Sequence, residues 1–253
     1  MNRVDNLRRR VAERLVGGQG LKVVARGKAP DVLHPEVWEQ VRAQTMTDSA
    51  RVDALYEATR QVAERGIPGD LVECGVYRGG CSMAMAMALR SVDATDRTIW
   101  LYDTFAGMTR PADLDVRLHD GADALPRFEA AATGENSADW CAADLTTVRN
   151  NMRSTGHAED HLRFVVGPVE ETLRTKEIPQ RIALLRLDTD WYESTRVELE
   201  VLLPRLSPGG VLIIDDYNHW AGSRRAVDEH FAAHAQRPIM FPVGKGSVIA
   251  TVG

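Results

Sequence analysis

Arg186-Leu187-Asp188-Thr189-Asp190-Trp191-Tyr192 and Val211-Leu212-Ile213-Ile214-Asp215-Asp216-Tyr217 share one pattern, an apolar run that stops at carboxylates. The runs 182–187 and 211–214 are short and rich in branched side chains, as central strands buried on both faces are. A strand that stops at an aspartate presents it at the carboxyl end, the rim where open α/β sheets bind ligands. If the two strands are neighbours, Asp188, Asp215 and Asp216 converge, with Asp190 close by. A single aspartate after a strand is ordinarily a helix cap. A D-x-D and a D-D on two strand ends exceed what capping requires. Like charges raise one another's pKa, so such a trio calls for a counter-charge. All-oxygen donors favour a hard divalent cation such as Mg²⁺, Ca²⁺ or Mn²⁺.

The rest of the chain is compatible with this. Its 253 residues suffice for one α/β domain with an added arm. A net charge of −5 gives no basic footprint for nucleic acid or an anionic membrane. Three cysteines, Cys74, Cys81 and Cys141, form neither an even disulfide set nor a metal-spaced one, which suits a reducing cytoplasm. No apolar run approaches membrane-spanning length, and the first residues lack the core of a signal peptide.

In chain order, Val4, Leu7, Val11 and Leu15 recur at helical spacing, either as a dimer arm or as a packed appendage. A short amphipathic stretch surrounds Val37, Trp38 and Val41. A stronger helix follows Asp48, with Val52, Leu55, Tyr56, Thr59 and Val62 on one face. Strands are expected at 70–75, 98–103, 162–167, 182–187 and 211–214. Residues 206–210 read as a tight turn into the last of these. Helices are expected at 81–90, 144–155, 194–203 and 224–235. The methionines 83, 85 and 87 read as core packing. Residues 239–243 and 247–252 flank Gly244-Lys245-Gly246 as a closing antiparallel hairpin. The polar segment 104–142 is long enough to be a lid or to contain helix of its own. The sum is a doubly wound, mostly parallel α/β sheet with an antiparallel edge. The expected division places a helical arm or lid at 1–66 and the sheet domain at 67–253.

Glu73-Cys74-Gly75-Val76-Tyr77-Arg78-Gly79-Gly80 is a glycine-rich turn after the first strand. It lets backbone approach a ligand and places a helix N-terminus beside it. Its G-x-x-x-G-G spacing is not the G-x-G-x-x-G of dinucleotide enzymes. Asp103, at the end of the second strand, is placed to hold the ribose hydroxyls of a nucleoside. Turn and aspartate together favour an adenosine-type cofactor; a loop cap is the plainer alternative for Asp103.

With these motifs, Tyr102-Asp103-Thr104-Phe105-Ala106-Gly107 and Arg205-Leu206-Ser207-Pro208-Gly209-Gly210, the chain resembles the macrocin O-methyltransferase (TylF-like) family of S-adenosylmethionine-dependent enzymes. The resemblance runs from about residue 45 onward and is poor before it. It implies a class I methyltransferase sheet of seven strands and a methyl acceptor that is a deoxysugar hydroxyl of an antibiotic-type natural product. It implies S-adenosylmethionine held by Glu73, Gly75, Tyr77, Gly79, Asp103 and Thr104, and Mg²⁺ held by Asp188, Asp215 and Asp216. The acceptor is expected to be a glycoside or a nucleotide sugar, and the protein a homodimer.

The chemistry fits that expectation. A metal held by two adjacent sugar oxygens lowers the pKa of one, and a carboxylate takes its proton. Asp188 is the first candidate for the base and Asp190 the second. His119 and His219 are weaker candidates, read as loop histidines. Trp191, Tyr192 and Tyr217 flank the carboxylates and either stack on the acceptor or pack in the core. Two other readings stay open: a catechol-type O-methyltransferase acting on a diphenol, and a non-catalytic nucleoside-binding module on the same fold.

Overall fold

The computed structural model describes residues 32–233 and 237–253. The expected helix through Val4 and Leu15 lies outside them. Helix α1 (Pro35–Val41) and helix α2 (Ser49–Glu64) come first. Asp48 caps α2 by accepting the Arg51 N–H at 3.1 Å. The buried face of α2 carries Val52, Leu55, Tyr56, Thr59 and Val62, the helical spacing read from the sequence.

The core then alternates strand and helix. Strand β1 is Asp70–Cys74, helix α3 Gly80–Ser91, and strand β2 Ile99–Asp103. The 104–142 segment contains helix α4 (Leu125–Ala130) and a small antiparallel pair, β3 (Ala132–Gly134) with β4 (Ser137–Ala138). Helix α5 (Leu145–Ser154), strand β5 (Leu162–Val166), helix α6 (Val169–Thr175) and strand β6 (Ile182–Leu187) follow. Helix α7 (Tyr192–Val201), strand β7 (Leu206–Ile214), helix α8 (Ala221–Ala233) and the hairpin β8 (Phe241–Val243) and β9 (Ser247–Thr251) complete the chain.

The seven strands lie in the order β5-β2-β1-β6-β7-β9-β8. The first five are parallel, and β9 and β8 are antiparallel. This is the doubly wound sheet with an antiparallel edge that the sequence implied. Pleat alternation sends Leu71, Leu101, Leu184 and Ile213 into one core with α2, α3 and α5. Val72, Tyr102, Leu185, Leu187 and Ile214 enter the other, beneath α6, α7 and α8. Met83 and Met85 are buried in the first core, and Met87, partly buried, packs against it. Several boundaries differ from expectation, among them the start of α8, which lies at Ala221 rather than at 224. Residues 206–210 are the first half of β7 rather than a turn, and a register shift between Ile182 and Leu184 takes up the irregularity. Helix α7 starts earlier than expected, at Tyr192.

From β1 the chain winds outward through β2 and β5, then returns to β6 on the other side of β1. The β1/β6 boundary is therefore the topological switch point, where a crevice opens at the strand ends. Its floor is tight. Gly75 follows β1 at φ +82°, and a Cβ there would lie 1.9 Å from the Asp188 carbonyl oxygen. Both the left-handed backbone and the close approach demand glycine. Gly75→Ala is expected to destabilise the fold by about 3 kcal/mol or more, combining αL strain with overpacking. Urea unfolding measures it, and a loss under about 1 kcal/mol would show the turn to be slack.

Candidate active site

The register across β1, β6 and β7 aligns Cys74, Leu187 and Ile214. The next residue on each strand, Gly75, Asp188 and Asp215, therefore meets its neighbours at one level. The Asp188 N–H donates to the Cys74 carbonyl at 2.8 Å, and the Asp215 N–H to the Leu187 carbonyl at 2.9 Å. Oxygens of Asp188, Asp215 and Asp216 come within 4.8 Å of one another, so the structure brings together the trio expected from the strand ends. Asp190, at φ +69°, lines the same cavity.

Two residues before the level of Gly75, Asp188 and Asp215 lies a feature that the motifs did not assign. Arg186 projects from β6 opposite Glu73 and Ile213, with its side chain only 3% exposed. Its Nη1 donates to Glu73 Oε1 at 2.7 Å and lies 2.8 Å from Asp188 Oδ2; its Nη2 donates to Asp215 Oδ1 at 2.8 Å. The second Glu73 oxygen accepts from the Ser82 hydroxyl. Both Glu73 oxygens are thus committed within the protein. Asp215 is bound on all sides. Ser247 Oγ donates to its Oδ1 at 2.9 Å, and the Arg51 guanidinium pairs with its Oδ2.

These contacts sort the carboxyl groups. Burial opposes ionisation of Asp215, but Arg186 and Arg51 outweigh it and hold its pKa below the ordinary value. Asp188 is pushed well up by desolvation and by Asp215 and Asp216, with Arg186 opposing. Its side chain keeps 29% exposure toward the cavity. Burial and neighbouring Asp188 push Asp190 up to about 7. Burial and Asp190 raise Asp216 well above its usual range. Asp216 Oδ2 is buried with no hydrogen-bond partner among the described residues. A buried oxygen without a donor, next to two more carboxylates, is the donor set that a hard divalent cation satisfies. The residues present fit such an ion.

Asp103 stands at the opposite side of the crevice. Its Oδ2 accepts the N–H groups of Val76 at 2.7 Å and Tyr77 at 3.0 Å, and its Oδ1 that of Phe105 at 2.7 Å. Asp103 therefore closes the glycine turn, and the Thr104 hydroxyl, which donates to the Gly107 carbonyl at 2.6 Å, also lies 3.4 Å from Asp103 Oδ1. The first N–H of α3, on Gly80, is taken by the Gln44 carbonyl at 2.9 Å, so it is not offered to a ligand. Asp103, Gly75 and Asp188 line both a cavity of about 460 Å³ and a narrower adjoining cleft. Tyr77 and His219 face the larger cavity and Thr104 the cleft.

Other candidates fall elsewhere. His119 is exposed, with Nε2 3.3 Å from Asp120. Trp191 packs edge-on against Trp140 and Trp220, and its Nε1–H donates to the Thr109 carbonyl at 3.0 Å. Tyr192 and Tyr217 donate their hydroxyls to Glu229 and Asp228. Met46, Arg127, Trp140 and Cys141 line the cavity along with the carboxylates.

A mostly parallel seven-stranded sheet with its cavity at the β1/β6 switch point is the architecture of class I methyltransferases, and the solved structure of the O-methyltransferase NovP superposes with a TM-score of 0.70. That match has 28% identity and covers 98% of this chain and 99% of the other. The family model for macrocin O-methyltransferase (TylF) matches residues 25–246, and the chain belongs to that family. Among curated relatives, the 8-demethyl-8-(2,3-dimethoxy-alpha-L-rhamnosyl)-tetracenomycin-C 4'-O-methyltransferase of Streptomyces olivaceus is 40% identical over 186 residues. The match spans 71% of this chain but 64% of that enzyme's own length. The mycinamicin III 3''-O-methyltransferase of Micromonospora griseorubida is 34% identical over 198 residues, 76% of this chain and 72% of that one.

Arg186 is the shared counter-charge of three carboxylates. Arg186→Met is expected to cost about 3–5 kcal/mol at pH 7.5, because it strands buried anions. The penalty should shrink toward pH 5, where the carboxyls of the variant take up protons. Urea unfolding at the two pH values checks this, and equal stability of wild type and variant at pH 7.5 would contradict it.

Proposed function

We propose that the chain transfers the methyl group of S-adenosylmethionine to a deoxysugar hydroxyl during biosynthesis of a glycosylated natural product. The observation that carries this reading is the convergence of Asp188, Asp215 and Asp216 on the cavity that Gly75 and Asp103 also line. The relatives are named for methylating a rhamnosyl-bearing tetracenomycin and mycinamicin III, and the acceptor inferred here is of that class.

Asp103 and the Gly75–Gly79 turn would hold the nucleoside part of the donor, with Tyr77 and Thr104 beside it. Glu73 acts at one remove, through Arg186. Asp188, Asp215 and Asp216 would hold Mg²⁺, which when bound supplies Lewis-acid polarisation of the acceptor oxygens. In the transfer, the acceptor oxygen forms a bond to the methyl carbon as the carbon–sulfur bond breaks. S-adenosylhomocysteine leaves with the sulfur electron pair, and the hydroxyl proton passes to a carboxylate. Asp188 Oδ1 is the first candidate, since Oδ2 is held by Arg186. Asp190 is the second; a pKa of about 7 suits a base working near neutrality. Alignment of oxygen, carbon and sulfur contributes much of the remaining acceleration.

The same reading includes a homodimer and a cytoplasmic location. It assigns residues 1–66 to an arm or lid, 67–253 to the catalytic domain, and acceptor selection to residues 31–60 and 104–142. No helix among the described residues is long and apolar enough to cross a membrane.

Asp188→Asn is expected to lower kcat at least about 10²-fold, the scale of a lost general base, while S-adenosylhomocysteine affinity changes little. Methyl transfer to a rhamnosyl glycoside, followed by mass spectrometry, supplies the rate, and calorimetry the affinity. Retained turnover in Asp188→Asn would remove Asp188 from the chemistry, and methylation of catechol but not of sugar diols would replace the acceptor class.

A further inference from the structure

We infer that Arg51 is the resident cation of the carboxylate cluster, holding Asp215 in the metal-free enzyme and moving away when a divalent cation enters. The inference rests on the cation-site reading above. It begins with the lone pairs of Asp215. Oδ1 already takes two donors, Arg186 Nη2 and Ser247 Oγ, so it is saturated. Oδ2 is the oxygen left for a metal, and it is the one paired with Arg51. Two cations at one buried oxygen repel strongly, because the surroundings screen them poorly. Arg186 cannot be the one to leave: it is buried on a central strand and also holds Glu73 and Asp188.

Arg51 has somewhere to go. Its Nε lies 3.3 Å from Asp48 Oδ2, the N-cap carboxylate of α2. That carboxylate also accepts the Lys245 N–H at 3.2 Å from the β8–β9 turn. Thr45, Met46 and Thr47, just before the cap, line the cavity. The segment carrying Arg51 is thus also a wall of the acceptor space, and Met46 is 62% exposed at that wall. Loading the metal therefore loosens residues 45–51 at the time an acceptor has to enter. The arginine serves as a place-holder that keeps the carboxylates assembled before the metal arrives and couples its arrival to the wall.

The test is titration of Mn²⁺ into full-length wild type, Arg51→Met and Lys245→Met at pH 8, followed by calorimetry and by hydrogen exchange of residues 45–51. Lys245 lines the same cavity without touching Asp215, so its variant reports the effect of a lost charge alone. Arg51→Met should bind Mn²⁺ at least about tenfold more tightly than wild type, and Lys245→Met less than about threefold more tightly. Mn²⁺ should speed exchange of residues 45–51 in wild type and leave it unchanged in Arg51→Met. Arg51→Lys, which keeps the charge on a narrower head, should fall between wild type and Arg51→Met and guards against a folding defect. Equal affinity in wild type and Arg51→Met, with both binding, overturns the place-holder and leaves the cation site intact. Failure of every folded variant to bind Mn²⁺ overturns the cation site and the place-holder with it.

Discussion

The Arg186 guanidinium is the constraint from which the site follows. It sits on the central strand β6, almost wholly buried, and reaches a carboxylate on β1 and others just beyond β6 and β7. A lone buried guanidinium would be prohibitive, and so would Glu73, Asp188 and Asp215 together without it. Each makes the others tolerable. The same network explains why three neighbouring strands end in register at one level. Their terminal side chains are tied through one planar group whose donors point in fixed directions.

Above this layer the carboxyl groups differ in kind. Asp215, flanked by two arginines, stays an anion, whereas Asp188, Asp190 and Asp216 are raised by burial and by one another. A site of this type has a fixed anionic base and a proton-sensitive face. The face is the part toward the cavity, where an acceptor hydroxyl has to lose its proton. The excursion between β2 and α5 lines that cavity and is anchored both by packing and by a buried polar contact. Phe128, Trp140, Trp191 and Trp220 form a small separate core, and Asp115 accepts the N–H groups of Ala112 and Tyr192.

The carboxylate trio was legible because each strand is a short apolar run that stops at an aspartate, and the sheet order only had to make the runs neighbours. Arg186 was not assigned from the sequence, although a charge inside an otherwise apolar buried strand is the signal that could have pointed to a buried partner. Arg51 was not legible. Its partner Asp215 lies 164 positions away, and its place on the α2 surface looks like any solvated face. Glu73 was read as a cofactor contact, and its bonds to Arg186 and Ser82 were not read, since a glutamate before a glycine turn does not disclose the neighbouring strand. The start of β7 was hidden by Ser207-Pro208-Gly209-Gly210, whose composition is that of a turn. Helix α4, six residues long, is too short for a 3.6-residue period to declare itself.

The most direct test of the two-sided crevice is anomalous diffraction from crystals grown with S-adenosylhomocysteine and Mn²⁺. A single manganese peak within bonding distance of Asp188, Asp215 and Asp216 is predicted, with the ribose against Asp103 and the sulfur facing the cavity. A bound S-adenosylhomocysteine with manganese absent from the trio, or held elsewhere in the cavity, would contradict the assignment of these carboxylates.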